Sequence, residues 1–441
     1  MRNAIIKDGA DKERQRLIDS IDTEAICRLA SSYHGGDPCN TFKPHKHGSF
    51  NMVVRIPLPA RIAWIDEKVE AALATMRYVA AKTTIPVPRV HAYSFTEGSP
   101  INTAYIIMDY VEGQTLRELG FRKSKKWGLS YENPTEATKK LRRLEFPKIG
   151  ALGLPAENGW PSYTCNPDDI RMCHRPLSIE TALQEVEGMD PGAKIKPGTT
   201  FQTARSYVDA LFWLADNELD KSPDLFMDSR GGRRILYARH HFRRFVLDTW
   251  LDSEADRGPF VLMHGDITLL TNNILFNEDL ELVGVLDWEW SYVVPAQLLV
   301  PPVWLTGSSL DFMLMTRQWY NSGVGHLVAA IKDRERVFQV PPLLSQEWAK
   351  METWCHTAVA VALLNPDMIH GVYWNFLIYE LVELAPPAEK FREFYEEFIS
   401  PRPAAFMEES SARKVLLARK QQEQMRFFEE EKEYFHFECT R

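Results

Sequence analysis

The sequence lacks any run of about 18 apolar residues, so no helix is expected to span a membrane. Its most apolar stretch, Tyr292 to Gly307, is broken by Pro295, Pro301 and Pro302. The N-terminus, MRNAIIKDGADKERQR, has charges where a secretory signal needs an apolar core. Cysteine is scarce: Cys27, Cys39, Cys165, Cys173, Cys355 and Cys439, with no C-x-x-C pair. Scattered thiols in a chain this long point to a reduced, intracellular protein, with a Cys165–Cys173 disulfide as the minor alternative. Together these absences predict a soluble, cytoplasmic protein. An excess of basic charge is lacking too, since 52 Lys and Arg against 60 Asp and Glu leave a net charge of −8. That balance argues against a nucleic-acid partner, which needs a basic face. No internal repeat is found.

What is present is ordinary for a globular protein, 45% hydrophobic and 25% charged residues. The length suggests about three domains, or two larger ones. Residues 11–33 have Leu17, Ile18, Ile21, Ile26, Leu29 and Ala30 near helical spacing, which predicts one amphipathic helix. A loop rich in Gly, Pro and His follows, then a strand over 49–58. A helix is expected over 66–82, with Asp66 as N-cap and Val69, Leu73, Met76, Val79 and Ala80 as its apolar face. The segment 85–95 reads as a turn into a strand. A further strand over 103–111 is closed by Glu112-Gly113.

Beyond Thr115 the pattern is mainly helical, at 134–145, 180–188, 201–219, 235–252, 309–321, 326–337, 344–364 and 388–397. A β-rich insert interrupts it with strands at 260–263, 274–276 and 282–287. Residues 127–198 read as loop-rich, and 410–437 as a charged surface helix. The expected division is an N-terminal helical extension (1–44), a small β-rich part (45–112), a larger helical part (113–405) and a terminal helix (406–441). His240-His241 reads as a helix-surface pair without a third metal ligand.

The segment 260–290, FVLMHGDITLLTNNILFNEDLELVGVLDWEW, carries the chemistry. An apolar strand delivers Asp266 after His264-Gly265. A loop brings Asn272 and Asn273, and a further strand ends at Asp287-Trp288-Glu289. Converging carboxylate and amide oxygens suit Mg²⁺, which shares such ligands with substrate phosphates. In phosphoryl transfer one carboxylate orients the attacking hydroxyl, while an Asn and an Asp hold the metal.

These motifs resemble the catalytic core of the aminoglycoside phosphotransferase (choline kinase-like) family, and in particular its fungal branch. Gly48-Ser49-Phe50-Asn51, Val54-Arg55-Ile56-Pro57, Ala74-Thr75-Met76-Arg77-Tyr78, Ile85-Pro86-Val87-Pro88 and the run from Ile106 to Gly113 resemble it as well. The resemblance spans roughly residues 45 to 310. It implies an α+β, protein-kinase-like fold of two lobes, a small β-rich one and a larger helical one, and a kinase using ATP and Mg²⁺. It implies that Asp266 is the catalytic carboxylate, that Asn273 and Asp287 are metal ligands, and that His264 braces the loop. Gly48, Ser49 and Phe50 would cover the phosphates, Arg55 would pair with them, and Met108, Asp109, Tyr110 and Val111 would face adenine. The substrate, a small molecule, would sit near Trp288 and Glu289. Acidic and aromatic groups there would suit an amine-bearing alcohol, a metabolite or an antibiotic.

Three departures from the pattern stand out. Asp266 and Asn273 are seven residues apart where the family has five, so a bulged loop must restore Asn273, or Asn272 serves instead. Six residues separate Gly48 from Arg55, too few at about 3.3 Å each to run out and back as a hairpin. One strand of the nucleotide-binding sheet is therefore missing or displaced, which truncates the first lobe. Ala72 stands where the helix usually presents a Glu to the basic strand residue, and Glu67 and Glu70 lie on other helical faces. A catalytically impaired pseudokinase acting as a binding or scaffold protein is the alternative.

Overall fold

The computed structural model describes residues 3–33, 35–39, 52–58, 62–115, 118–119, 136–157, 159–226, 228–266, 273–303, 317–351, 354–378 and 391–439. Gly48, Ser49, Phe50 and Asn51 lie outside the described residues, as does Asn272.

Two helices, α1 (Ala4–Ser20) and α2 (Thr23–Tyr33), stand where one was expected. Ile21 takes an extended conformation between them, and the Asp22 carboxylate accepts the Ala25 N–H at 2.9 Å. A side chain that caps a new helix competes with continuing the old one. Strand β1 (Met52–Arg55) precedes helix α3 (Ile65–Lys82). The residue before α3 is Trp64, in a left-handed conformation with no side-chain cap. Asp66 is therefore not the N-cap. It lies in the first turn, where its charge suits the helix dipole, and its carboxylate accepts the Thr96 N–H and hydroxyl, both at 2.8 Å.

Strands β2 (Val90–Ser94) and β3 (Tyr105–Asp109) complete an antiparallel sheet in the order β1-β3-β2. Among the described residues this sheet has three strands. Val69, Leu73, Met76 and Val79 of α3 are buried, at roughly 1.5–3 kcal/mol per side chain.

The segment expected to be loop-rich contains, among its described residues, helix α4 (Glu136–Leu141), short strands β4 (Glu145–Phe146), β5 (Ala151–Gly153), β6 (Ala156–Glu157), β7 (Trp160–Pro161) and β8 (Arg171–His174), and helix α5 (Ile179–Val186). Helices α6 (Ala204–Lys221) and α7 (Ser229–Phe245) follow. The β insert comprises β9 (Phe260–His264), β10 (Ile274–Phe276) and β11 (Leu282–Val285). One more strand, β12 (Ser291–Pro295), lies in the stretch that prolines interrupt, and it pairs antiparallel with β9. Pro295 is its last residue, a position where a missing N–H costs the ladder little.

Most later described residues are helical, and the long terminal helix Ser411–Cys439 is docked rather than merely solvated. Its Lys420 is buried and donates to the Asp220 carbonyl at 2.9 Å. His240 is exposed on the helix surface, as expected, and its ring meets Phe406; His241 is half-buried and packs with Tyr237, Tyr373 and Phe406. Cys165 and Cys173 are free thiols. No helix of the described residues is long and apolar enough to cross a membrane. The fold is α+β, a small antiparallel sheet with one long helix preceding a mainly helical part that carries the β insert.

Candidate active site

Strand β9 ends in His264, buried and neutral, whose Nε2 donates to the Leu286 carbonyl at 2.8 Å. The Leu286 N–H in turn donates to the Asn273 carbonyl at 2.8 Å. These two bonds hold the residue before Asp287 between β9 and the β10–β11 hairpin. Asp287 itself is in the left-handed region (φ 65°), a conformation costly for a residue with a Cβ and sustained here by its neighbours. The seven-residue spacing does not separate the pair at issue: Asn273 Nδ2 donates to Asp266 Oδ2 at 2.7 Å. Asp266, Asn273 and Asp287 are thus brought to one place.

Two glycines explain why this packing tolerates no side chain. The Gly265 N–H donates to the Trp290 carbonyl at 3.1 Å, and a Cβ on Gly265 would collide with that oxygen. A Cβ on Gly284 would lie 2.8 Å or less from the Val111 side chain, at 2.7 Å from Cγ1. The hairpin therefore presses directly against the segment after β3, where Gln114 and Phe276 exchange backbone hydrogen bonds of 2.8 and 2.9 Å.

Arg55 reaches the site from β1. Its Nη2 lies 2.5 Å from Asp287 Oδ1 and 3.0 Å from Glu289 Oε2. Burial opposes its charge, but Glu289 and Asp287 outweigh burial and raise its pKa. These two carboxylates take the place of the helix Glu that Ala72 lacks. Glu67 and Glu70 are engaged elsewhere: Glu67 with Arg175 at 2.7 Å, Glu70 with His174 at 3.0 Å and with the Leu154 N–H at 3.1 Å. They latch α3 onto the β5–β8 region and aim its opposite face at the cleft.

Next to the cleft-lining residues Val69, Ala72 and Met76, α3 holds a residue the sequence reading missed. Lys68, 3% exposed, places Nζ 3.4 Å from Glu289 Oε1 and 2.9 Å from the centre of the Trp290 ring. Burial lowers its pKa to about 8, partly offset by Glu289. The available signal was its position one helical turn before Ala72, on the same side of α3. Asp266 is pushed above the usual carboxylate range by burial, against the hydrogen bond from Asn273.

A cleft between the small sheet, α3 and the hairpin is lined by Arg55, Pro57, Val69, Ala72, Met76, Pro88, Ile106, Met108, Asp287, Trp288 and Glu289. Met108 thus faces it, whereas the Asp109 carboxylate is held by His91 Nε2 at 2.6 Å and the Arg89 N–H at 3.2 Å. Tyr110 and Val111 follow the end of β3. A second pocket opens beside Gly265 and Trp290, with Met263, Tyr292, Val300, Val303, Val361, Leu364, Asn365 and Glu180 among its walls. Trp288 and Glu289 were expected near the substrate, and neither lines this second pocket. Trp288 is 2% exposed, its Nε1 donates to the Val285 carbonyl at 2.9 Å, and its ring meets His264 at 4.9 Å. Trp290 lines the second pocket instead, because the 3₁₀ turn Trp288–Trp290 carries alternate rings to opposite sides.

His264 gives the site a pH signature. Burial lowers its pKa to about 4, below the 6.5 of an ordinary histidine, despite its bond to Leu286. Its contribution to stability is therefore complete above pH 6.5 and is lost as pH falls toward 4, by roughly 3 kcal/mol for this group. The unfolding midpoint should fall over that window, and His264→Gln should flatten the fall while keeping a donor for Leu286. Equal slopes in both proteins would remove His264 from the explanation.

No family model matches the chain. A mitochondrial protein of Meyerozyma guilliermondii, altered inheritance of mitochondria protein 9, is 28% identical over 160 residues, 34% of this chain and 26% of that protein. Its namesake in Scheffersomyces stipitis is 26% identical over 148 residues, 33% of this chain and 19% of that protein. A clavilactone A biosynthesis cluster protein of Ampulloclitocybe clavipes is 25% identical over 249 residues, 55% of this chain and 54% of that protein. The matches thus span about a quarter or less of the two mitochondrial relatives and about half of the cluster protein. The mitochondrial relatives correct the expectation of a cytoplasmic protein. That expectation rested on a missing secretory core, which does not distinguish cytosol from mitochondrion.

Among solved structures, the GDP complex of aminoglycoside 2'-phosphotransferase-IIIa superposes with a TM-score of 0.40 at 10% identity, covering 80% of this chain and all of that one. Aminoglycoside phosphotransferase APH(4)-Ia, in a ternary complex with AMP-PNP and hygromycin B, gives 0.35 at 14% identity, covering 71% of this chain and 84% of that one. At such similarity these structures say nothing of what this chain acts on.

Proposed function

We propose that the chain is an ATP-dependent phosphotransferase acting on a hydroxyl of a small molecule. The observation that carries this reading is the convergence of Asp266, Asn273 and Asp287 with Arg55 and Lys68 nearby, beside a cleft that Arg55, Asp287 and Glu289 line. The donor set is oxygen only, which suits Mg²⁺. Among the described residues no group of three or more His, Cys, Asp or Glu could hold a metal, but Mg²⁺ needs only one or two carboxylates when phosphates complete its shell. Asn273 and Asp287 would hold it. When bound, it would supply charge neutralisation across the β- and γ-phosphates.

Asp266 orients the acceptor hydroxyl and takes its proton as the oxygen bonds to the γ-phosphorus. The bond to ADP breaks, and ADP leaves with the electron pair. The raised pKa of Asp266 makes it a better base than an exposed carboxylate. Arg55 contacts the phosphates, the apolar cleft beside Met108 receives adenine, and the backbone of Asp109, Tyr110 and Val111 faces its edge. The acceptor enters the second pocket beside Gly265. Its mostly apolar walls favour a small alcohol with an apolar body, and Glu180 gives a point of contact for an amine.

The impaired-kinase reading draws support from Arg55, which occupies a carboxylate oxygen of Asp287 that a metal needs. A thermal-shift titration separates the two. Mg·ATP should raise the unfolding midpoint, by about 2.7 kcal/mol of stability at a hundredfold excess over Kd. Asp287→Ala should abolish the metal-dependent part. The absence of any shift at millimolar Mg·ATP would overturn the proposal.

A further inference from the structure

We infer that Lys68 is a phosphate-binding residue, forming with Arg55 a two-cation clamp in which helix α3 supplies a positive charge directly to the nucleotide. The inference rests on the phosphotransferase reading and deepens it. Lys68 Nζ is buried and has no hydrogen-bond partner in the described structure, although Glu289 Oε1 lies 3.4 Å away. An ammonium with three N–H donors has been taken out of water with one long ion pair and a ring face as its partners, and no geometrically formed hydrogen bond. Those contacts do not use its three donors. A methionine or leucine would fill the same space over Trp290 without the desolvation cost, and replacing a buried ion pair by apolar groups is commonly neutral or stabilising. A buried, under-satisfied cation is instead what a site for an anionic ligand retains before the ligand arrives.

The surroundings point to where that ligand sits. Arg55 bridges Asp287 and Glu289, and Glu289 in turn faces Lys68. The two cations therefore flank one carboxylate pair that lines the cleft, and the charge of Asp266 is felt by both. Phosphate oxygens arriving there would meet both cations and displace Asp287 from Arg55, leaving Asp287 to serve as a metal ligand. Trp290 fixes the lysine from below, its ring centre 2.9 Å from Nζ. The anchoring of α3 through Glu67 and Glu70 keeps Lys68 against Glu289, whose carboxylate lines the cleft. Ala72, small and without charge, leaves the adjoining turn of the helix open to the same cleft.

Calorimetric titration of the full chain with adenosine, ADP and ATP, each with Mg²⁺, tests this. Lys68→Met should weaken ADP and ATP by about ten- to hundredfold, the loss of a charge-assisted contact, and leave adenosine unchanged. Lys68→Arg should retain most of the affinity. The ligand-free unfolding midpoint of Lys68→Met should match or exceed that of the parent protein. If Lys68→Met fails to fold, Lys68→Gln carries the same comparison. Equal losses for adenosine and ATP would assign Lys68 a structural role and overturn the inference, as would unchanged ATP binding. A parent protein that binds no nucleotide would instead bring down the phosphotransferase reading, and the clamp with it.

Discussion

Asp266→Asn should reduce phosphoryl transfer by about 10²- to 10⁴-fold, the usual share of a general base, while Mg·ATP still binds. The change is isosteric, and an amide oxygen can still accept the hydrogen bond from Asn273 Nδ2. What disappears is the ability to take the acceptor's proton. Burial already disfavours the Asp266 carboxylate in its charged form, so the neutral amide should not lower the unfolding midpoint. The measurement is ADP release with a panel of small alcohols, paired with nucleotide titration of both proteins. Equal turnover in parent and variant would remove Asp266 from its role. Nucleotide binding without turnover in the parent would favour the binding-protein reading.

The largest expected effect on stability is at Trp288. Trp288→Ala should cost about 3–5 kcal/mol, the range for emptying a buried aromatic site. The ring lies against His264, and its Nε1 satisfies the Val285 carbonyl. Trp288→Phe should lose less, mainly the hydrogen bond, at about 1–3 kcal/mol for the carbonyl left unpaired. Urea unfolding measures both. A loss under about 1 kcal/mol for the alanine variant would mean the site collapses around the gap. Because the turn that follows Asp287 is built on this ring, nucleotide affinity should fall with stability in Trp288→Ala. That coupling separates Trp288 from Asp266, whose substitution affects turnover alone.

Much of the site was legible because its signals are local. The apolar run of β9 (Phe260–His264) announces a buried strand ending in His264-Gly265-Asp266, and the hairpin that carries Asn273 and Asp287 follows the expected order. Where the sequence misled, a competing local effect prevailed. Asp22 capped a second helix where hydrophobic spacing promised one. Pro295 ended a strand rather than preventing it. Of Trp288 and Trp290, the spacing gave no reason to choose which would line the first cleft and which the second pocket.

By itself, then, the sequence determined the order of the β insert's strands, the α+β class and the segments that carry Asp266, Asn273 and Asp287, since period, turn chemistry and strand ends are properties of short segments. Only the tertiary structure decided who partners whom. Arg55 and Asp287 are 232 residues apart, and no periodicity links them. The charge of Lys68 acquires its meaning from burial against Trp290 and Glu289. In water that lysine would be a solvated cation on a helix. Buried beside the cleft, it has lost that solvent, and the proposed gain from meeting phosphate follows from that loss.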